Sequence, residues 1–230
     1  QQSIDDFHRD FQRGLQQKIR VRIYPLPSRL SILPYGRQSV DDEDIQAVVE
    51  VLKSTNLTQG PYVAAFEEGL CGKVGARYAI ACNSGTSALH LACLAAGVQQ
   101  GDEVITSPIT FVASANCSLY CGAVAVFADI DPQTYNISPC EIEKRMTART
   151  RAVIPVHFAG QSCDMEAIRD IVRKAEKRFG RRIYIIEDAC HALGSLYKEQ
   201  KVGSCAFSDL TVMSFHPIKS FIIWNSNRSF

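Results

Sequence analysis

The chain has 230 residues, of which 46% are hydrophobic, enough for one large or two small domains with a real core. Its 25 Lys and Arg nearly cancel 24 Asp and Glu, and the basic residues near the start (Arg9, Arg13, Lys18, Arg20, Arg22) are interleaved with Asp and Gln, which argues against a nucleic-acid partner. No apolar run is long enough to cross a bilayer and the first twenty residues lack the apolar segment of a signal peptide, so the expected setting is cytoplasmic, with no membrane partner.

Residues 1–33 read as an appendage, with Phe7, Phe11 and Leu15 on one short amphipathic helix and a proline-broken linker at Tyr24-Pro25-Leu26-Pro27. Ser39 then caps a helix with Asp42 three residues on, and Ile45, Val48, Val49 and Leu52 keep helical spacing. A second helix carries Val63, Phe66 and Leu70 and closes at Gly75. From Tyr78 short apolar runs alternate with helical stretches: strands are expected at 78–82, 103–107, 123–128, 152–156, 183–187 and 210–214, and helices at 86–96, 111–121, 139–146 and 164–179. Ser138, Pro139 and Glu141 predict a capping box at the third of these helices. This alternation predicts an α/β fold of three layers, a mostly parallel sheet with helices on both faces. The nine cysteines form no CxxC pair and have no histidine-rich companion, so a zinc site is not expected and they read as free thiols of a reducing compartment.

In such sheets ligands gather beyond the carboxyl ends of the strands, which makes the residues after each strand the ones to inspect. After the first comes Ser84-Gly85-Thr86, small residues at a strand-to-helix turn that can aim backbone N–H groups at a phosphate, or simply cap a helix. It is neither GxGxxG nor a Walker loop, so a dehydrogenase or ATP enzyme starts behind. After the second, Phe111 offers a ring for a flat cofactor to stack on, or a core side chain. The fifth ends at Asp188, whose carboxylate is costly to bury unless it meets a cation, either an arginine or a protonated pyridine nitrogen. His191 follows, to face a cofactor or to sit satisfied in the core. The sixth leads through Ser214, a phosphate donor or a capping hydroxyl, to Lys219 in a turn, where a lysine can form a Schiff base. A phosphate turn, a stacking ring, a buried acid and a lysine, in that order, are what pyridoxal 5'-phosphate needs.

Three runs, Ser84-Gly85-Thr86-Ser87-Ala88-Leu89, Glu187-Asp188-Ala189-Cys190-His191-Ala192-Leu193-Gly194-Ser195 and Ser214-Phe215-His216-Pro217-Ile218-Lys219, resemble the DegT/DnrJ/EryC1/StrS family of aminotransferases acting on nucleotide-linked keto sugars. The resemblance covers roughly Leu33 to Ser220. Pro34-Tyr35-Gly36-Arg37-Gln38, Val156-His157-Phe158-Ala159-Gly160 and Lys201-Val202-Gly203-Ser204 are most similar to the branch of that family serving pseudaminic acid biosynthesis. The resemblance implies a fold-type I large domain over 34–220. It implies that Lys219 holds the cofactor and moves protons, Asp188 pairs with the pyridine nitrogen and Phe111 stacks. Ser84, Gly85, Thr86 and Ser214 would then hold the phosphate, and His191 would lie near the cofactor oxygen. A lysine at 219, where the family's sugar dehydratases carry histidine, implies transamination. L-glutamate would be the donor, a UDP-linked 4-keto-6-deoxy sugar the acceptor, and a homodimer the working form.

After Lys219 the family continues Thr-Thr-x-Glu-Gly-Gly into further strands and a small domain. This chain reads Phe221-Ile222-Ile223-Trp224 through Phe230 instead. The expectation is a large domain without its C-terminal small domain and with unmatched segments at 1–33 and 221–230. The alternative is a remnant that keeps the fold and not the chemistry.

Overall fold

The computed structural model describes residues 40–216 and Lys219. The chain divides into two units, Gln1–Pro34 and Tyr35–Phe230, and every described residue lies in the second. The helix expected around Phe7, the linker after it, the run at Pro34 and the tail from Phe221 lie outside the described residues.

Helix α1 (Asp42–Lys53) is capped by Asp41 rather than by Ser39, because Asp41 accepts from the Asp44 amide while Asp44 returns the bond to the Asp41 amide. Helix α2 (Pro61–Val74) starts on proline and stops where Gly75 turns left-handed at φ 83°, as expected. The strand expected at 78–82 is absent. Tyr78 and Ile80 are 74% and 87% exposed, and the segment meets the domain through its Ala81 amide, which donates to Glu67 at 2.7 Å. An apolar run becomes a strand only when another strand satisfies its backbone groups, and among the described residues none lies alongside.

The rest of the domain follows the expected alternation, with element ends shifted by a few residues: α3 (Gly85–Ala95), β1 (Glu103–Thr106), α4 (Ala113–Tyr120), β2 (Val124–Phe127), α5 (Pro139–Arg145), β3 (Thr150–Ile154), α6 (Met165–Phe179) and β4 (Tyr184–Asp188). A two-residue-strand hairpin, β5 (Leu196–Tyr197) and β6 (Gln200–Lys201), precedes β7 (Leu210–Val212). The main sheet runs β2-β1-β3-β4-β7 with every pairing parallel. At α5 the expected capping box does not form. Ser138 is the N-cap without a side-chain bond, and Glu141 turns outward to Lys144.

Period-two alternation sorts the strand residues between two cores. Val104, Ala152, Ile154, Ile186 and Val212 pack against Leu89, Cys93, Ala113 and Cys117 of α3 and α4. Ile105, Val153 and Ile185 point the other way, onto Ile142, Ile168 and Val172 of α5 and α6. A fully buried side chain of this size contributes roughly 1.5–3 kcal/mol relative to an exposed one, and the sandwich of two such layers makes the sheet a fixed platform. All nine cysteines are unpaired thiols, and Cys93, Cys117 and Cys163 serve as small core residues, as expected. No helix among the described residues is long and apolar enough to cross a membrane, and they hold no cluster of metal-ligating side chains.

Candidate active site

The carboxyl ends of β4 and β7 and the start of α3 come together at Gly85. A Cβ added there would lie 3.2 Å from Cβ of Ser214 and 3.3 Å from Sγ of Cys190, so a larger residue would push the three segments apart. Ser84 caps α3, its hydroxyl accepting from the Ser87 amide at 3.2 Å, and the Ala88 amide returns to the Ser84 carbonyl. The amides of Gly85 and Thr86 are then the donors at this positively poled helix start without intrahelical acceptors. Thr86 is half-buried in the first turn. Ser214 closes the turn after β7 by accepting from the His216 amide at 3.4 Å. Ser84 and Ser214 thus do take the capping roles the sequence left open, on either side of Gly85.

Phe111 precedes α4 and is 59% exposed, not a core phenylalanine. Lys219 lies over its face, with Nζ 4.9 Å from the ring centroid, and the Lys219 amide donates to the His216 carbonyl at 2.7 Å. The lysine and the ring, 108 residues apart in sequence (219 − 111), therefore share one wall.

Asp188 ends β4 and is buried. Its Oδ2 accepts from the Ser114 hydroxyl at 2.6 Å and its Oδ1 from the Cys190 amide at 3.2 Å. No lysine or arginine among the described residues pairs with it, so the arginine partner held open by the sequence is not there. The contrast with the other buried carboxylates is sharp. Asp102 and Glu103, at the opposite end of the sheet, pair with Arg181 and Arg149, and Glu187 pairs with His157. His157 accepts from the Cys163 amide through Nδ1 at 3.1 Å, so its Nε2–H donates to Glu187 at 2.7 Å, and Glu187 also accepts from Ser208 and Thr211. Burying an ionised carboxylate without a cation is costly, and Asp188 has instead neutral donors around it and a position at the strand end where a ligand gathers.

His191 is half-buried and meets Phe158 edge-on at 6.5 Å. Burial lowers its pKa from the ordinary 6.5, the Lys219 cation lowers it further and Asp188 opposes them. Burial pushes the Cys190 thiol up and the Asp188 carboxylate adds to this, so Cys190 is an un-ionised lining group rather than a nucleophile.

Every residue singled out from the sequence lies in this region, in three contiguous sets: Ser84, Gly85, Thr86 and Ser214; Phe111 and Lys219; Asp188 and His191. Ser114 and Thr110 were missed, because Thr110 lies in the bend before α4 and only the folded turn brings its hydroxyl to Ser114. Glu187 and His157 were missed as a pair because nothing local in the sequence links residues on different strands. The donor set fits pyridoxal phosphate: helix-start amides for an anion, an exposed ring for a flat face, a buried acid with no cation paired to it among the described residues, and a lysine over the ring.

Known proteins resemble this chain in sequence and fold. Spore coat polysaccharide biosynthesis protein SpsC of Bacillus subtilis is 45% identical over 192 residues, covering 84% of this chain and 47% of that protein. PseC of Helicobacter pylori, an aminotransferase of pseudaminic acid biosynthesis, superposes with a TM-score of 0.74 at 38% identity, over 82% of this chain and 49% of PseC. Spr1654 of Streptococcus pneumoniae, solved in its PLP form, superposes at 0.77 with 33% identity, over 82% of this chain and 50% of the neighbour. The chain spans about half the length of the relatives it matches. The model of the DegT/DnrJ/EryC1/StrS aminotransferase family matches residues 38–225, and with the fold and these relatives it establishes that the chain belongs to that family.

Proposed function

We propose that this chain carries the cofactor half of an aminotransferase that moves an amino group from L-glutamate to C4 of a UDP-linked 4-keto-6-deoxy-N-acetylhexosamine, in the pseudaminic acid pathway. The carrying observation is Asp188, the buried carboxylate that ends a central strand with hydroxyl and amide donors but no cation among the described residues. PseC as a structural neighbour, and the runs around His157 and Lys201, favour the pseudaminic branch. A cytoplasmic homodimer is the working form we expect.

When bound, pyridoxal phosphate supplies the carbonyl that receives the amine and the electron-withdrawing ring that stabilises charge beside it. The chain's own residues do the rest. The Gly85 and Thr86 amides, with the Ser84, Thr86 and Ser214 hydroxyls, hold the phosphate. Phe111 gives the ring its stacking face, and Asp188 takes the cationic ring nitrogen that its carboxylate lacks. Lys219 Nζ is the covalent anchor and afterwards the acid/base that carries the proton. His191, held toward its neutral form, faces the cofactor oxygen as a hydrogen-bonding group.

The test is the visible absorption of the purified chain titrated with pyridoxal phosphate. We expect a band that borohydride bleaches and that Lys219→Ala abolishes. A chain that stays colourless overturns the proposal. A coloured chain that takes no amine from glutamate supports the remnant reading, in which cofactor binding outlives the chemistry.

A further inference from the structure

Resting on that reading of the site, we infer that Ser114 and Thr110 form a relay that positions the Asp188 carboxylate. Four polar contacts define it. Ser114 Oγ lies 2.6 Å from Asp188 Oδ2, 2.7 Å from Thr110 Oγ1 and 3.2 Å from the Phe111 carbonyl, and the Cys190 amide holds the other oxygen of Asp188.

Hydrogen counting gives the chain a direction. A serine hydroxyl has one hydrogen, and the shortest of its contacts is to the carboxylate, the stronger acceptor. Ser114 therefore donates to Asp188. Its lone pair is then free to accept, and Thr110 is the donor: Thr110 O–H to Ser114 O–H to Asp188. Ser114 and Asp188 are both buried, which strengthens the bond between them. With Ser114 on Oδ2 and Cys190 on Oδ1, the carboxylate plane is fixed from two sides, one from α4 and one from its own strand end. The remaining lone pairs are what a cationic nitrogen would meet. The relay starts beside Phe111, so the same turn that supplies the stacking face also sets the acid.

Ser114 touches no reacting atom. It acts through Asp188, and a role in folding alone must be told apart from this. Four proteins, wild type, Ser114→Ala, Thr110→Val and Thr110→Ser, are titrated with pyridoxal phosphate by absorbance, and the bound band is followed against pH. Thermal melting without cofactor reports on folding. We expect Ser114→Ala to weaken binding about tenfold or more, and Thr110→Val, nearly isosteric and half-buried, to weaken it severalfold. Thr110→Ser, which keeps the hydroxyl, should bind as wild type. The pH midpoint of the band should rise in the first two variants, because a less firmly held carboxylate lets the ring nitrogen lose its proton more readily, and a neutral ring no longer repels a proton on the Lys219 nitrogen. Wild-type affinity and midpoint in Ser114→Ala overturn the relay and leave the site reading intact. If Ser114→Ala does not fold, equal behaviour of Thr110→Val and Thr110→Ser overturns it. No band in the wild type overturns both.

Discussion

His191 and His157 show how one residue type takes two roles in the same layer. The pKa of His191 is lowered from 6.5 by burial and by the Lys219 cation. An unfolded chain therefore binds a proton just below pH 6.5 that the folded chain binds less well, and the stability tied to this neutral imidazole is lost as pH falls below that value. Urea midpoints measured over about pH 5–7 should drop toward acid more steeply in the wild type than in His191→Asn. Equal slopes would contradict the assignment. His157 is wholly buried, with the Cys163 amide on one nitrogen and Glu187 on the other. Removing it as His157→Ala leaves a buried carboxylate short of one donor, and we expect a loss of about 1–3 kcal/mol in urea unfolding. Gly85→Val should weaken cofactor binding, because its side chain would meet Ser214 and Cys190 within 3.3 Å.

At the scale of elements, burial divides apolar runs of similar composition. Ile186→Ala in β4 removes a fully buried side chain that packs on α3 and α4 and should cost about 2–5 kcal/mol, whereas Ile80→Ala, in the run that forms no strand, should stay within about 0.5 kcal/mol. Chemical denaturation of the two variants checks the contrast. The five strands of the sheet were legible because each alternates its side chains between two helix layers, which leaves a compact apolar run flanked by turn residues. The run at 78–82 has that composition and no partner strand among the described residues, and composition alone cannot report a missing partner. The β5–β6 hairpin was illegible for a local reason: its turn residues Lys198 and Glu199 adopt φ of 47° and 64°, where Asn-Gly would have signalled the turn. The site was legible to the extent that function gathers at strand ends. Gly85, Phe111, Asp188 and Lys219 each follow a strand or an apolar run, whereas Ser114 acts from within a helix and across 74 residues.

For the whole molecule, the arrangement is a parallel sheet whose carboxyl edge gathers a helix-start turn, an aromatic face, a buried acid and a lysine from four separate stretches of chain. The structural carboxylates Asp102 and Glu103 lie at the amino end of the strands and are matched by arginine, while the carboxyl end keeps Asp188 without such a match among the described residues. This asymmetry is what a site for a cationic ring requires, and the family relatives share the fold over the same stretch. In the proposed function Lys219 is the cofactor's anchor. The purified chain should be incubated with pyridoxal phosphate, reduced with borohydride and digested, and the modified peptide identified by mass spectrometry. We predict a phosphopyridoxyl group on Lys219, retained at low cofactor concentration and lost when Asp188→Ala weakens the site. Labelling spread over surface lysines, with Lys219 unmodified, would contradict it.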